Sequence, residues 1–256
     1  MPPRADVWSY GGGVQTAALA VLIATGKLPR PEVVVMADTG REGTATWDYL
    51  RDVMAPYLAA VGLTVEVAGH DLATVDLWGK NGDLLVPAFT RQSGDLGMLP
   101  TLCSNEWKRR VVQRFLRAKG YGPARPVDLW LGISTDEAHR AKDSDVQWMG
   151  HRYPLLFDAP TNRGEAVALV ARAGLPTPPK SACWMCPHKS ARQWRELQRE
   201  HPADFASAVA LDADLRTRDA DAYLHRAGLP LDDAVEQVRD DQGDLFGGCD
   251  SGYCWT

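Results

Sequence analysis

Val7-Trp8-Ser9-Tyr10-Gly11-Gly12-Gly13-Val14-Gln15-Thr16-Ala17-Ala18-Leu19-Ala20 is the stretch on which the fold turns. Residues 7–10 form a short apolar run that ends in three glycines. Residues 15–25 follow directly, rich in Ala and Leu as a helix should be. Glycines at such a joint let backbone N–H groups approach an anion with no Cβ in the way. The start of the helix adds roughly half a positive charge. Phosphate binding is the physical inference, and a turn that merely joins strand to helix is the plainer alternative. The loop lacks the Gly-Lys-Ser/Thr of a Walker P-loop and the wider glycine spacing of a dinucleotide fold.

Outward from this joint the pattern alternates. Gly26 closes the helix, and residues 32–37 are a continuous β-branched run, the mark of a strand buried on both faces. Residues 44–60 read as a helix, 64–68 as a strand, and 127–133 as a further buried strand. Strands alternating with helices predict a doubly wound, mostly parallel α/β sheet. Residues 70–102, rich in Gly and containing Pro87 and Pro100, read as loop with short strand pieces. Beyond about residue 160 the texture turns helical. Asn162 with Glu165, and Ser190 with Gln193, are capping-box pairs, and Pro176-Thr177-Pro178-Pro179 between them excludes helix. The expected division is a nucleotide-binding α/β domain over residues 1–160 and a helical, cysteine-containing region with a mobile tail over 161–256.

The 256 residues carry 28 Lys+Arg against 33 Asp+Glu, a net charge of −5, with 45% hydrophobic and 24% charged residues. That balance argues against a disordered chain. No apolar run approaches the roughly 20 residues of a membrane span, and residues 17–24 are the longest candidate. The first residues lack the layout of a signal peptide, so a cytoplasmic address is expected.

The five cysteines are unevenly placed: Cys103 alone, Cys183 with Cys186, and Cys249 with Cys254. An odd count without a secretory signal argues against a disulfide framework. Cys183 and Cys186, two residues apart with Pro187 behind them, suit tetrahedral thiolate ligation of iron–sulfur or zinc. A redox dithiol and an inert pair remain open on spacing alone. His188 is the zinc-favouring neighbour.

Ser9 through Thr16 resembles the pyrophosphate-binding loop of the PP-loop ATP pyrophosphatases and of the phosphoadenosine phosphosulfate (PAPS) reductase family. The common pattern is Ser-Gly-Gly-x-Asp-Ser, and Gln15 and Thr16 stand at its last two places. Asp38-Thr39-Gly40 with Thr46 and Tyr49 resembles the Asp-Thr-Gly segment of those reductases. Leu102-Cys103 with Lys108 resembles their Cys-Cys-x-x-x-x-Lys element, and the stretch from Gly132 to Arg140 their Gly-x-Arg-x-x-Glu-Ser-x-x-Arg element. Cys183-Trp184-Met185-Cys186 resembles the Cys-x-x-Cys of the iron–sulfur members.

The resemblance implies a Rossmann-like fold and an adenine nucleotide, ATP or a relative, held by Ser9, Tyr10, Gly11, Gly12, Gly13, Val14, Gln15 and Thr16. It extends that site to Asp38, Thr39, Lys108, Gly132 and Arg140, with Asp136 orienting the nucleotide or a magnesium ion. It implies a 4Fe–4S cluster on Cys103, Cys183 and Cys186, either with an open iron or with a fourth ligand from Cys249, Cys254 or His188. Cys249 and Cys254 stand where the reductases carry a nucleophilic cysteine, so they and Asp136 are the catalytic candidates.

The basic residues over 108–119, from Lys108 to Lys119, suit phosphates, a sulfonucleotide, or an RNA or DNA substrate. A sulfur donor or thiol reductant protein and a homodimer complete the expected partners, and no membrane is expected. The leading expectation is ATP-dependent sulfur transfer to a nucleobase or small molecule. A reductase of adenylyl sulfate or its 3′-phosphate, and a non-catalytic nucleotide- and cluster-binding sensor, are the competing readings.

Overall fold

A computed structural model describes residues 3–69, 77–79, 81–82, 84–92, 95–100 and 102–238. Five parallel strands form the main sheet: β1 (Ala5–Ser9), β2 (Val33–Asp38), β3 (Val65–Gly69), β6 (Val127–Trp130) and β7 (Met149–Arg152), in the order β3-β2-β1-β6-β7. The register is fixed by pairs such as Trp8 with Val34 and Trp8 with Trp130. The fold is thus the doubly wound α/β sheet that the alternation predicts.

Side chains alternate faces along each strand, as the pleat requires. Trp8, Val34, Met36 and Trp130 belong to one core, with α1 (Val14–Ala24) and the buried side of the next helical segment. Val7, Val33, Val35 and Leu129 belong to the other, with Val111, Val112 and Leu116 of α4 (Arg110–Ala118). Helices therefore cover both faces, and the strand order reverses direction between β1 and β6. That reversal is the switch point at which open α/β sheets bind ligands beyond the strands' carboxyl ends.

The helix expected over 44–60 is α2 (Thr44–Tyr49), a π-helical turn (Leu50–Met54) and α3 (Ala55–Ala59) in unbroken succession. Pro56 has no N–H to close an ordinary helical bond to Asp52, which accounts for the widened turn. A second π-helical segment, Ser104–Arg109, leads into α4. Within 70–102 the described residues contain β4 (Phe89–Gln92) and β5 (Asp95–Met98), which join β8 (Ala222–Tyr223) in a small antiparallel sheet.

The later helices are α5 (Pro154–Phe157), α6 (Arg163–Arg172), α7 (Ala191–Glu200), α8 (Pro202–Arg218) and α9 (Leu231–Gln237). Both capping boxes form: Asn162 and Ser190 accept from the backbone of Glu165 and Gln193, whose side chains accept in return. Ala166 and Val170 of α6 join the core of α1. A third core gathers Leu84, Val86 and Trp107 with Met185, Trp194, Phe205 and Leu231. It is closed by Asp212, fully buried on α8, which accepts from the backbone N–H of Leu224 at 2.7 Å and Leu231 at 3.0 Å and pairs with Arg216. Asp204 of α8 caps α2, accepting from Thr44 N at 2.9 Å and Thr44 Oγ1 at 2.8 Å. Among the described residues no helix is long and apolar enough to cross a membrane.

Candidate functional site

The glycine loop sits at the carboxyl end of β1, and α1 begins on Gly13 with no side-chain cap on its first N–H groups. They open into a cleft of about 200 Å³ lined by Ser9, Tyr10, Gly11, Gly13, Val14, Gln15 and Thr16 from this joint. Leu131, Gly132 and Ile133, just past β6, form the facing wall. Lys108, Arg140, Arg163 and Lys180 bring four cationic side chains to the lining, against the carboxylates of Glu42 and Glu137. An uncapped helix start beside an excess of cations favours a polyanion.

Each glycine has its own reason. Gly12 has φ +76°, and a Cβ there would lie 2.5 Å from Thr46 Cγ2 and 3.3 Å from Ser181 Oγ. Gly13 has ordinary extended geometry, and its Cβ would meet nothing nearer than 3.8 Å. Packing alone therefore excludes a side chain at Gly12, whereas at Gly13 only a closely approaching ligand would. Gly132 likewise faces Thr16, whose Cγ2 would stand 3.2 Å from an added Cβ.

The sequence-derived candidates divide. Tyr10 lends the loop its backbone, but its ring turns into the core against Trp8, and burial raises its pKa. Asp38 closes a local turn by accepting from Gly40 N at 2.7 Å and is not on the cleft lining. Thr39 faces the cysteines rather than the cleft, with Oγ1 3.4 Å from Cys183 Sγ. Asp136 accepts from Arg163 N at 3.0 Å at the start of α6 and is not on the cleft lining either. Burial pulls its pKa upward, but the nearby Ser134 hydroxyl, hydrogen bonds from its own N–H and Arg163 N, and the Arg163 charge hold it below the usual carboxylate value. Cys249 and Cys254 lie outside the described residues.

Arg140 donates to Glu137 Oε2 at 2.7 Å, and Gln15 Nε2 donates to the same oxygen at 3.4 Å. Glu137 thus orients two cleft residues while only 8% exposed. Lys180 and Ser181 belong to the proline-rich segment that sequence reading treated only as a helix breaker. Its prolines hold it extended over the loop, where Ser181 Oγ donates to Gly11 O at 2.5 Å. Of the expected basic face, Arg109 pairs with Asp145, Arg110 with Glu106 at 2.7 Å and Lys119 with Glu66 at 2.7 Å. Arg117 stacks over Trp148, and Lys108 turns into the cleft.

A second, smaller cavity of about 30 Å³ is lined by Cys103, Cys183, Cys186 and His188, with Thr39, Trp107, Met185 and Pro187. Lys108 lines both this cavity and the cleft. Three thiols and an imidazole in apolar surroundings match a sulfur-ligated iron or zinc centre in the kind of donor. Among the described residues, however, no group of three or more His, Cys, Asp or Glu side chains is drawn close enough to hold a metal ion. A cluster would require the three cysteines to rearrange around it.

No protein-family model matches the chain, and no curated protein matches it. Among solved structures it is similar to phosphoadenylyl-sulfate reductase from Candida auris in a phosphate complex. Identity there is 15%, the similarity covers 69% of this chain and 76% of that one, and the TM-score is 0.46. It is also similar to the U34-tRNA thiolase NcsA from Methanococcus maripaludis with its 4Fe–4S cluster, at 14% identity over 97% of this chain and 80% of that one, with a TM-score of 0.48.

Proposed function

We propose that the chain is an enzyme of the PP-loop and PAPS-reductase type that binds an adenine nucleotide in the cleft and carries out sulfur chemistry beside it. The observation that carries this reading is the adjacency of two sites. A cation-lined cleft over an uncapped helix start shares Lys108 with a cavity that three cysteines line. The resemblance in the sequence assigns these two roles to the glycine loop, Lys108, Gly132 and Arg140 on the cleft and to Cys103, Cys183 and Cys186 on the cavity.

The reaction we favour is ATP-dependent sulfur transfer to a nucleobase or small molecule. A carbonyl oxygen of the acceptor attacks the α-phosphorus of ATP, and pyrophosphate leaves. The loop amides, Lys108 and Arg140 would hold the charge that this step concentrates on the phosphates. A sulfide donor then forms the carbon–sulfur bond, and AMP departs with the acceptor's oxygen. Magnesium would enter with the nucleotide, and Glu42 and Glu137 are the carboxylates on the cleft lining. Cys103, Cys183 and Cys186 would hold a 4Fe–4S cluster, which when bound would supply an iron able to carry sulfide.

The test is iron and acid-labile sulfide content of protein purified without oxygen, for wild type and Cys183→Ser, followed by nucleotide trials. About four iron and four sulfide per chain, lost in the variant, with AMP formed from ATP only when sulfide and acceptor are present, is the expected result. Stoichiometric zinc in place of iron overturns the cluster. Release of sulfite from a sulfonucleotide without ATP consumption replaces thiolation by reduction. ATP binding with no turnover on any sulfur substrate leaves a sensor.

A further inference from the structure

Glu42 is 6% exposed, lines the cleft, and reaches the cysteine side as well. It lies in the turn between β2 and α2, where the backbone of residues 41–43 runs antiparallel to residues 182–184. Glu42 and Cys183 form an isolated β-bridge, Gly43 N donates to Ala182 O at 3.2 Å, and Trp184 N donates to Arg41 O at 2.9 Å. Gly43 permits this approach, since a Cβ there would stand 3.1 Å from Ala182 O. The side chain then divides its two oxygens. Oε1 lies 3.1 Å from Ser181 Oγ and Oε2 lies 3.9 Å from Cys183 Sγ. Ser181 Oγ in turn donates to Gly11 O.

A serine hydroxyl has one hydrogen and two neighbours competing for it here. The Gly11–Gly12 peptide is planar and trans, so holding the Gly11 carbonyl on one side turns the Gly12 N–H to the other. The hold on the anion-binding loop therefore depends on how Ser181 divides its one hydrogen between Gly11 O and Glu42, which also touches Cys183. We infer that Glu42 is a positioning residue that couples the glycine loop to Cys183 through Ser181. The inference rests on the proposed function only in taking the loop as the anion site. Anion binding at the loop then alters the surroundings of Cys183, and by linkage a ligand held at Cys183 alters anion affinity.

The test is a double-mutant cycle on the full chain as purified. Its readout is the alkylation rate of Cys183 by iodoacetamide, resolved from the other cysteines by mass spectrometry. Ser181→Ala should change that rate by at least about twofold, the lower edge for residues sharing one hydrogen-bond network. In a Glu42→Ala background the same replacement should have no effect, and Glu42→Gln, which keeps one acceptor oxygen, should restore it. Should Glu42→Ala fail to fold, Glu42→Met, of similar volume with no acceptor oxygen, takes its place, and the Ser181 effect should again vanish. An equal effect of Ser181→Ala with and without Glu42, or none in wild type, overturns the inference. Calorimetry with ATP is a separate arm. Absent ATP binding with the coupling intact removes the nucleotide reading and leaves this one standing.

Discussion

Replacing Gly12 and Gly13 one at a time by alanine separates what the fold requires of the loop from what a ligand requires. At Gly12 the backbone has φ +76°, where an L-residue costs about 1–2 kcal/mol. Its new methyl would also stand 2.5 Å from Thr46 Cγ2, on a side chain only 2% exposed with little room to retreat. Overpacking of that kind adds roughly 1–3 kcal/mol. Together, roughly 2–5 kcal/mol is a large part of the roughly 5–15 kcal/mol that holds a domain folded. At Gly13 the backbone is unstrained and the nearest atom would be 3.8 Å away, so only the loss of glycine as N-cap, about 1 kcal/mol or less, is expected. Urea unfolding should therefore show a much lower midpoint for Gly12→Ala and a nearly unchanged one for Gly13→Ala. Calorimetry should then show the folded Gly13→Ala chain binding ATP at least about tenfold more weakly, because its methyl stands where a phosphate would meet the loop amides. A Gly12→Ala chain within about 0.5 kcal/mol of wild type would refute the packing argument. Undiminished ATP binding by Gly13→Ala would refute the close backbone approach.

Asp212→Ala should destabilise the chain by on the order of 3 kcal/mol in urea unfolding, since it strands two buried N–H groups and Arg216 together. Asn162→Ala should cost about 1 kcal/mol by removing the cap of α6, read as a thermal midpoint a few degrees lower. Burial, with the nearby Arg226 and Arg195 charges, lowers the pKa of His225 to about 4 from 6.5. The folded chain then binds fewer protons than the unfolded one between those values. That contribution to stability is whole above about pH 6.5 and is lost as pH falls toward 4. Unfolding free energies at pH 7.5 and 5 should show this slope, and His225→Gln should flatten it.

Local patterns carried much of the architecture. The apolar-glycine-helix joint, the β-branched run over 32–37 and the two capping boxes each depend on residues within one or two turns of each other, and each stands within a residue of where its pattern puts it. β7 escaped because Met149-Gly150-His151-Arg152 has no β-branched residue, and its pairing with β6 decides the strand. Gly150 is required there because a Cβ would lie 2.7 Å from Asp128 Oδ1 on that neighbour. Asp38 and Asp136 enter the candidate site through the resemblance alone. What engages each of them is a backbone N–H, which no charge pattern reveals.

The sequence by itself determined that a glycine joint would stand at the end of a parallel strand, and that Cys183 and Cys186 were spaced to act together. Those are statements about residue type and short spacing. Only the tertiary structure decided that Ser181 would reach Gly11 across 170 residues, that Glu42 would touch both Ser181 and Cys183, and that Gln15 would meet Glu137. Contacts of that range leave no periodic trace in the chain. They are fixed by which cores the strands and helices bury together, a choice made by the free energy of the whole fold.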